Sequence, residues 1–597
     1  MISTKTPKNV VAIDLEATGI APWFGAKMFA ASAVFPSGRI LFWRNTYSGL
    51  RSILKDPKLD KVFQNAKYDL RMLEAAGFTI RGRIWDTMVF AHLLNPAQKL
   101  SLDALAKRYL PKSRHKIVDE INEWFDQNKI KKDDRPYSFA KLPPKLLQER
   151  CQSDAAATLL LFLRFYPVVA QNFSRLLGQE HKVLHVSKRM EDRGLLIDLP
   201  ELQKQKRYLQ RVVDDVELWC QAFIGSEDFQ ITKPADQKYI LQKAGIYDHI
   251  EELTKTGKKS LRQKSLQALN HPVAQMLALG KQASSLRSTF LGQMERFNVN
   301  SVIHPGWNQL GTVTGRFSGS KPNLMNMPEE GGHWTSEEEQ QAIELAGIAL
   351  APHIKRVFVC RPGYCMYYSD KEKIEVCMLA HYTGDKVMLD VMRKGLDIHK
   401  EMSLRMFGEA KKGLRVRAKI TVFGFQYGAG NKLLAKNCKC SLAEAKKYRA
   451  RLMATCPTLL PWRNGLIQQL YDQGFIITDH GRRHYVPHHK SYMVVNRMCQ
   501  GTAADEVKSR MVALDDFIER DFPDCRILLN VHDALGIEIP LELAHKVIPT
   551  AHNILEETSI PFKLPLRASS ELTKTRWANL KKIKAHEPKT ITKVLNR

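Results

Sequence analysis

Residues 9–19, NVVAIDLEATG, begin with an apolar run and then interleave acids with apolar residues, which predicts a strand. Strand-like stretches recur over the first 178 residues and alternate with helical ones such as SLDALAKRYL. That alternation is the mark of a sheet covered by helices. TLLLFLRFYPVVAQNF closes this first unit, and from about 180 to 300 the pattern is helical and basic. Further on, IKRVFVC and RILLNV read as strands set among helices, so the second half is mixed. Residues 329–350 read as an acidic helix, with Thr335 and Glu338 at capping-box spacing. The stretch 581–597 is polar and basic and is expected to be a mobile tail. No repeat of fixed period is present.

A chain of 597 residues exceeds what one core organises, so two or more domains are expected. The 91 Lys and Arg against 62 Asp and Glu leave a net charge of +29, which favours a polyanionic partner, nucleic acid first. The ten cysteines are scattered through apolar stretches, and Cys438 and Cys440 form a C-x-C without a second pair. They read as reduced thiols of a cytoplasmic protein rather than a zinc site or a disulfide framework. No signal peptide precedes the first strand and no apolar run approaches 18 residues, so no membrane span is expected.

Asp14 and Glu16 lie two apart on the first strand and therefore share one face. Carboxylates emerging from an apolar strand are costly unless a cation accompanies them. FQNAKYDLRML adds Asp69 beside Asn65, and QERCQSDAAATLLLF adds Asp154, which alone reads as a helix N-cap. Four carboxylates suit two hard cations that activate a water and stabilise a leaving alkoxide. With NAKYDL and DTMVFAHLLNP, these segments make residues 1–178 resemble the DEDD-type 3′–5′ exonuclease domain, a ribonuclease H-like α/β fold. The resemblance implies Asp14, Glu16, Asp69 and Asp154 as metal ligands acting on a single-stranded DNA 3′ end. The family usually carries Tyr or His four residues before the last Asp; here that position is Arg150. A guanidinium cannot accept a proton, so a slowed nuclease is expected.

In GLRVRAKITVFGFQYGAG, Arg415, Lys419, Phe423 and Tyr427 recur every fourth residue and predict one helix face of two cations followed by two rings. Cations for a triphosphate and a flat apolar surface for a base are what nucleotidyl transfer requires. YYSDKEKIEVCMLAH places Asp370 at a strand end and Glu375 in the next helix, and RILLNVHDALGIEIP reads as strand, tight turn, strand with His532 and Asp533 at the turn. With TVTGRFSGSKPNLMNMP, GFIITDHGRRHYVP and NRMCQGTAADEVKSRM in the same order, residues 180–577 resemble an A-family DNA polymerase.

That resemblance implies a right-hand α+β domain over 179–577, with a thumb at about 180–310, palm and fingers at about 311–577, and a basic tail from 578 to 597. It implies Asp370 and Asp533 as metal ligands, and Arg415 and Lys419 on the triphosphate, with Lys419 also the acid for pyrophosphate. Phe423 would pack on the nucleotide, and Glu375 with Tyr427 would crowd the sugar 2′ position. Arg316, Asn496, Gln500 and His532 would meet the primer end or minor groove. The implied cofactors are two Mg²⁺ ions at each centre, with Mn²⁺ able to substitute. The implied partners are primer-template DNA and dNTPs, with helicase, primase and single-strand-binding protein as replisome contacts of a monomer. The compact two-activity plan resembles a bacteriophage replicative polymerase. Two departures stand out: Ala534 where the family has Glu, and DKEKIE in place of DYSQIE. A nuclease with a DNA-gripping second half, or a non-enzymatic clamp, would explain the charge but not both sets of acids.

Overall fold

The computed structural model describes residues 3–111, 116–254, 256–328 and 353–596. The acidic helix expected at 329–350 lies outside the described residues. The N-terminal sheet runs β3-β2-β1-β4-β5, with β1 Val10–Ala17, β2 Met28–Val34, β3 Ile40–Arg44, β4 Asp60–Phe63 and β5 Ile84–Asp86. β1 pairs antiparallel with β2 and parallel with β4, so it is central and buried on both sides. Its alternation decides where chemistry can occur. Val11, Ile13 and Leu15 enter a core with Leu50, Leu54, Leu70 and Leu73, whereas Val10 and Ala12 pack with Val89, Phe90 and Phe162. Asp14 and Glu16 share the parity of Val10 and Ala12, and hence the face covered by the helix that carries Phe162.

α1 (Ala66–Ala75) carries Asp69, and α2 (Thr87–Leu94) begins at Asp86, whose carboxylate accepts from the backbone N–H groups of Asn65, Ala66 and Met88. α3 (Pro144–Arg193) is a 50-residue helix with non-helical dihedrals at Phe173. Asp154 sits in its third turn and not at its N-cap, which is Pro143; the capping role suggested for Asp154 is therefore corrected. One stretch of α3 is long and apolar enough to cross a bilayer, contrary to the count of unbroken apolar runs, but 67% of that stretch is buried inside the protein. It is a core helix, since residues separated by helical rather than consecutive spacing pool into one apolar face.

α4 (Leu199–Ile224) and α5 (Pro272–Ser285) pack together in the basic helical region. The second large sheet runs β7-β8-β6-β9-β10, all antiparallel, with β6 Tyr364–Asp370, β7 Arg526–Val531, β8 Ala534–Pro540, β9 Glu571–Thr573 and β10 Lys581–Lys582. Around it lie α6 (Ile374–Thr383), α7 (Ile398–Phe407), α8 (Lys412–Gln426), α9 (Val494–Asp521), α10 (Ala544–Glu556) and α11 (Pro588–Leu595). IKRVFVC forms a 3₁₀ turn, Ile354–Val357, followed by single bridges at Phe358 and Val359, so the expected strand is corrected. The expected mobile tail is instead folded: β10 extends the sheet, and Ile583, Ala585 and Ile591 are buried. A few apolar side chains at the right spacing outweigh the basic composition, because their burial against an existing sheet edge offsets the ordering cost.

α3 runs from the first half into the second, where it enters a fully buried charge network. Glu180 on α3 accepts from Arg482 Nη2 at 2.6 Å and Lys508 Nζ at 2.8 Å, and Arg482 also binds Asp505 at 2.7 Å. Gln309 donates to Glu180, and His92 of α2 contacts the Thr312 carbonyl at 3.0 Å. Burial pushes the Glu180 carboxyl up, but Lys508 and Arg482 outweigh it and hold the group at about 2.

Candidate active sites

At the N-terminal centre, ligand oxygens of Asp14, Glu16 and Asp154 all lie within 4.8 Å of one another. Among the described residues this is the one group of three or more acids, cysteines or histidines so closely gathered. β1 supplies two of them and α3 the third, joined across 138 residues by the packing of α3 on the sheet. Asp69 stands outside that spacing, buried on α1, yet its charge helps raise Asp14. Burial and then Asp154, Glu16 and Asp69 push Asp14 well up. Burial also lifts Glu16 to about 7, with Arg150 opposing and Asp154 assisting. Crowded acids in a dry site resist simultaneous ionisation and favour a cation.

Arg150 lies inside this cluster. Its Nε donates to Glu16 Oε1 at 3.0 Å, Nη2 is 3.1 Å from Asp154 Oδ2, and the guanidinium stacks over Phe139 at 4.6 Å. Sequence reasoning placed Arg150 at the site but not its partners, and Phe139 and Cys151, whose thiol is 3.6 Å from Asp14 Oδ2, carried no signal.

At the second centre, Asp370 ends β6 directly opposite Ala534 in register, so Asp533 comes beside it at the β7–β8 turn. The turn is tight: exposed His532 adopts φ 56°, a left-handed geometry. The Lys371 N–H donates to the Asp533 carbonyl at 3.3 Å. Lys371 itself is buried with Nζ 3.4 Å from the Leu566 carbonyl, and burial brings its ammonium down to about 8. Ala534, at the other departure, is a buried strand residue.

Five of the expected residues form one network. Arg316 Nη2 donates to Glu375 Oε1 at 2.6 Å and lies 3.3 Å from Asp533 Oδ1. The Tyr427 hydroxyl donates to Glu375 Oε2 at 2.8 Å, and Gln500 Nε2 reaches Glu375 Oε1 and Tyr427 Oη at 3.2 Å each. Gln426, which the sequence did not single out, also donates to Glu375, at 2.9 Å. Burial raises Asp533, with Arg316 opposing and Glu375 adding to the rise. Asn496 is buried near the start of α9, and its Nδ2 has no acceptor among the described residues.

The four-residue row reaches the end of its helix, with the Tyr427 ring still beside Phe423 at 6.3 Å between centroids. Arg415, Lys419 and Phe423 lie within α8, whereas Tyr427 is its C-cap. Gly428 follows at φ 70°, where a Cβ would come 2.4 Å from the Tyr492 carbonyl. Lys419 is exposed, but Arg415 is held by Asp397, with Nη2 at 2.6 Å and Nε at 3.0 Å. Asp397 caps α7, and next to it buried His399 leans on Phe423 with ring centroids 5.7 Å apart. Burial, then Lys419, depress His399 to about 4, so it is neutral at pH 7. Neither Asp397 nor His399 belonged to a motif recognised in the sequence.

The family model for DNA polymerase family A matches residues 199–579. The chain belongs to DNA polymerase family A. A 3′–5′ exonuclease family model matches residues 2–170 of this family-A chain. It is 30% identical to DNA polymerase I of Pseudomonas aeruginosa over 525 residues, 83% of the chain and 54% of that protein. To DNA polymerase I of Chloroflexus aurantiacus it is 27% identical, over 88% of the chain and 55% of that protein. The chain thus spans about half the length of these curated relatives. A solved structure, the POL domain of Pol1 from M. smegmatis in complex with DNA primer-template and dNTP, superposes with a TM-score of 0.79 at 24% identity, covering 96% of both chains. That likeness together with the two family matches gives the fold: a 3′–5′ exonuclease domain followed by a right-hand family A polymerase domain.

Proposed function

We propose that this chain is a template-directed DNA polymerase that adds dNTPs to a primer 3′ end and removes misplaced ends with a 3′–5′ exonuclease. The observation that carries the reading is the Arg316–Glu375–Tyr427–Gln500–Asp533 network beside the Asp370 strand end, within the region matching family A. Asp370 and Asp533 are oxygen donors of the kind Mg²⁺ prefers, as are Asp14, Glu16, Asp69 and Asp154. Bound metals would lower the pKa of an attacking hydroxyl or water and neutralise the leaving oxygen.

Lys419, exposed on α8, is suited to the triphosphate and to protonating the pyrophosphate. Arg415, bound to Asp397 through Nε and Nη2, is suited to join it, with a phosphate replacing or sharing that anionic partner. Phe423 offers its ring to the nucleotide, and Glu375 with Tyr427 forms a hydrogen-bonded wall against a 2′-hydroxyl. Arg316, Gln500, His532 and Asn496 take the primer end or minor groove, whose acceptors are common to all base pairs. The exonuclease unit is assigned to 1–178, the polymerase to 179–577 and the basic C-terminal segment to 578–597. Service in phage genome replication rests on the sequence architecture alone, because the relatives above are bacterial enzymes.

Primer extension on a recessed template with dNTPs and Mg²⁺, beside degradation of a labelled single strand, tests both activities. Failure of the folded protein to extend would overturn the polymerase reading.

A further inference from the structure

The site of Arg150 carries an inference that rests on the exonuclease reading and concerns how its centre takes up metal. The guanidinium bonds two of the three acids whose oxygens crowd within 4.8 Å, at 3.0 and 3.1 Å. A helical Arg–Asp pair at i,i+4 is common, but here the second acid, Glu16, comes from β1, 134 residues away. The guanidinium also lies over the Phe139 ring, its carbon 4.6 Å from the centroid, and the Arg150 side chain is 19% exposed. The cation is therefore clamped by a strand, its own helix and a ring.

Glu16 and Asp154, which would help hold a divalent ion, have oxygens already engaged by Arg150. The fixed positive charge beside these acids would also oppose a second cation, the more so in a buried site. We propose that Arg150 is an internal counter-ion that competes with divalent metal for Glu16 and Asp154. Metal uptake at the exonuclease centre then requires the guanidinium to give up at least one of these carboxylates. The nuclease is thereby restrained at low metal concentration. The released guanidinium, still tethered to α3, is available to a substrate phosphate.

The test is Mn²⁺ binding by the full chain, read from free Mn²⁺ in electron paramagnetic resonance titrations. An Asp370→Asn, Asp533→Asn background removes uptake at the polymerase centre. Arg150→Gln, which keeps hydrogen-bonding capacity without charge, is expected to tighten Mn²⁺ binding about tenfold or more. Arg150→Lys, which keeps the charge, should stay near the parent. Phe139→Leu loosens the clamp without touching an acid and should tighten binding by a smaller factor, a second reading if Arg150→Gln folds poorly. Thermal unfolding supplies an independent signature. Arg150→Gln should melt lower than the parent in EDTA, and Mn²⁺ should raise its Tm by more. Unchanged or weaker Mn²⁺ affinity in Arg150→Gln or Phe139→Leu would overturn the proposal. If Asp14→Asn took up Mn²⁺ as the parent does, the exonuclease centre itself would be misassigned and the inference would fall with it.

Discussion

Tyr427 donates its hydroxyl hydrogen to Glu375 at 2.8 Å, joining the C-cap of α8 to the first turn of α6. Gln426, Gln500 and Arg316 converge on the same carboxylate, so Glu375 is fixed from four directions. A carboxylate so fixed can reject a hydroxyl by crowding, whereas a mobile one would swing aside.

Glu375→Ala is therefore expected to lower the preference for dNTPs over rNTPs by about 10², the scale on which a pocket rejects one added hydroxyl. Single-turnover incorporation of both nucleotides would measure it. Unchanged selectivity would locate the barrier elsewhere.

Asp370→Asn or Asp533→Asn should abolish primer extension while degradation of single strands continues at near the parent rate. Asp14 and its neighbours belong to the other sheet, so their centre should not respond. A folded variant that lost both activities would argue for one shared centre.

Metal uptake at the exonuclease centre should be coupled to proton release. Burial raises Glu16 to about 7, and a metal ligand must be ionised, so affinity should grow as pH rises through about 7 and be lost as pH falls below it. Calorimetry of Mn²⁺ binding in buffers of different ionisation enthalpy reads the released protons directly. A pH-independent affinity between 6 and 8 (about one unit either side) would contradict this.

Glu180→Ala strips a buried carboxylate from Arg482 and Lys508 and should destabilise the fold by about 3–5 kcal/mol, the usual result of leaving buried charge unpaired. The folded-state pKa of Glu180 is depressed to about 2, below its ordinary value of 4.5. Its contribution is thus complete above about 4.5 and disappears as pH falls toward 2. The parent should therefore lose part of its advantage over Glu180→Ala in unfolding titrations at acid pH. A difference constant from pH 7 to pH 3 would refute the assignment.

Period and spacing made much of this protein legible. The alternation around Asp14 and Glu16 required one shared strand face, and β1 delivers it because its odd and even residues enter two different cores. The strand–turn–strand at His532 and Asp533 and the helix from Lys412 to Gln426 were likewise local matters, decided by residues a few positions apart. What composition suggested was less secure: the basic tail folds because Ile583 and Ile591 find an existing sheet edge, which no local pattern reveals.

Only the tertiary structure could decide the partners of the charged groups. Arg150 meets Glu16 across 134 residues, Glu180 meets Lys508 across 328, and Asp397 claims Arg415 because a loop before α7 returns beside α8. Coulombic energy depends on distance and local dielectric, and neither is written in the order of residues. The sequence by itself named the acids and cations and the faces from which they project. Which carboxylate each cation neutralises was decided by packing between distant segments, as where α3 lies on β1 and brings Arg150 to Glu16, or where Arg316 reaches Asp533.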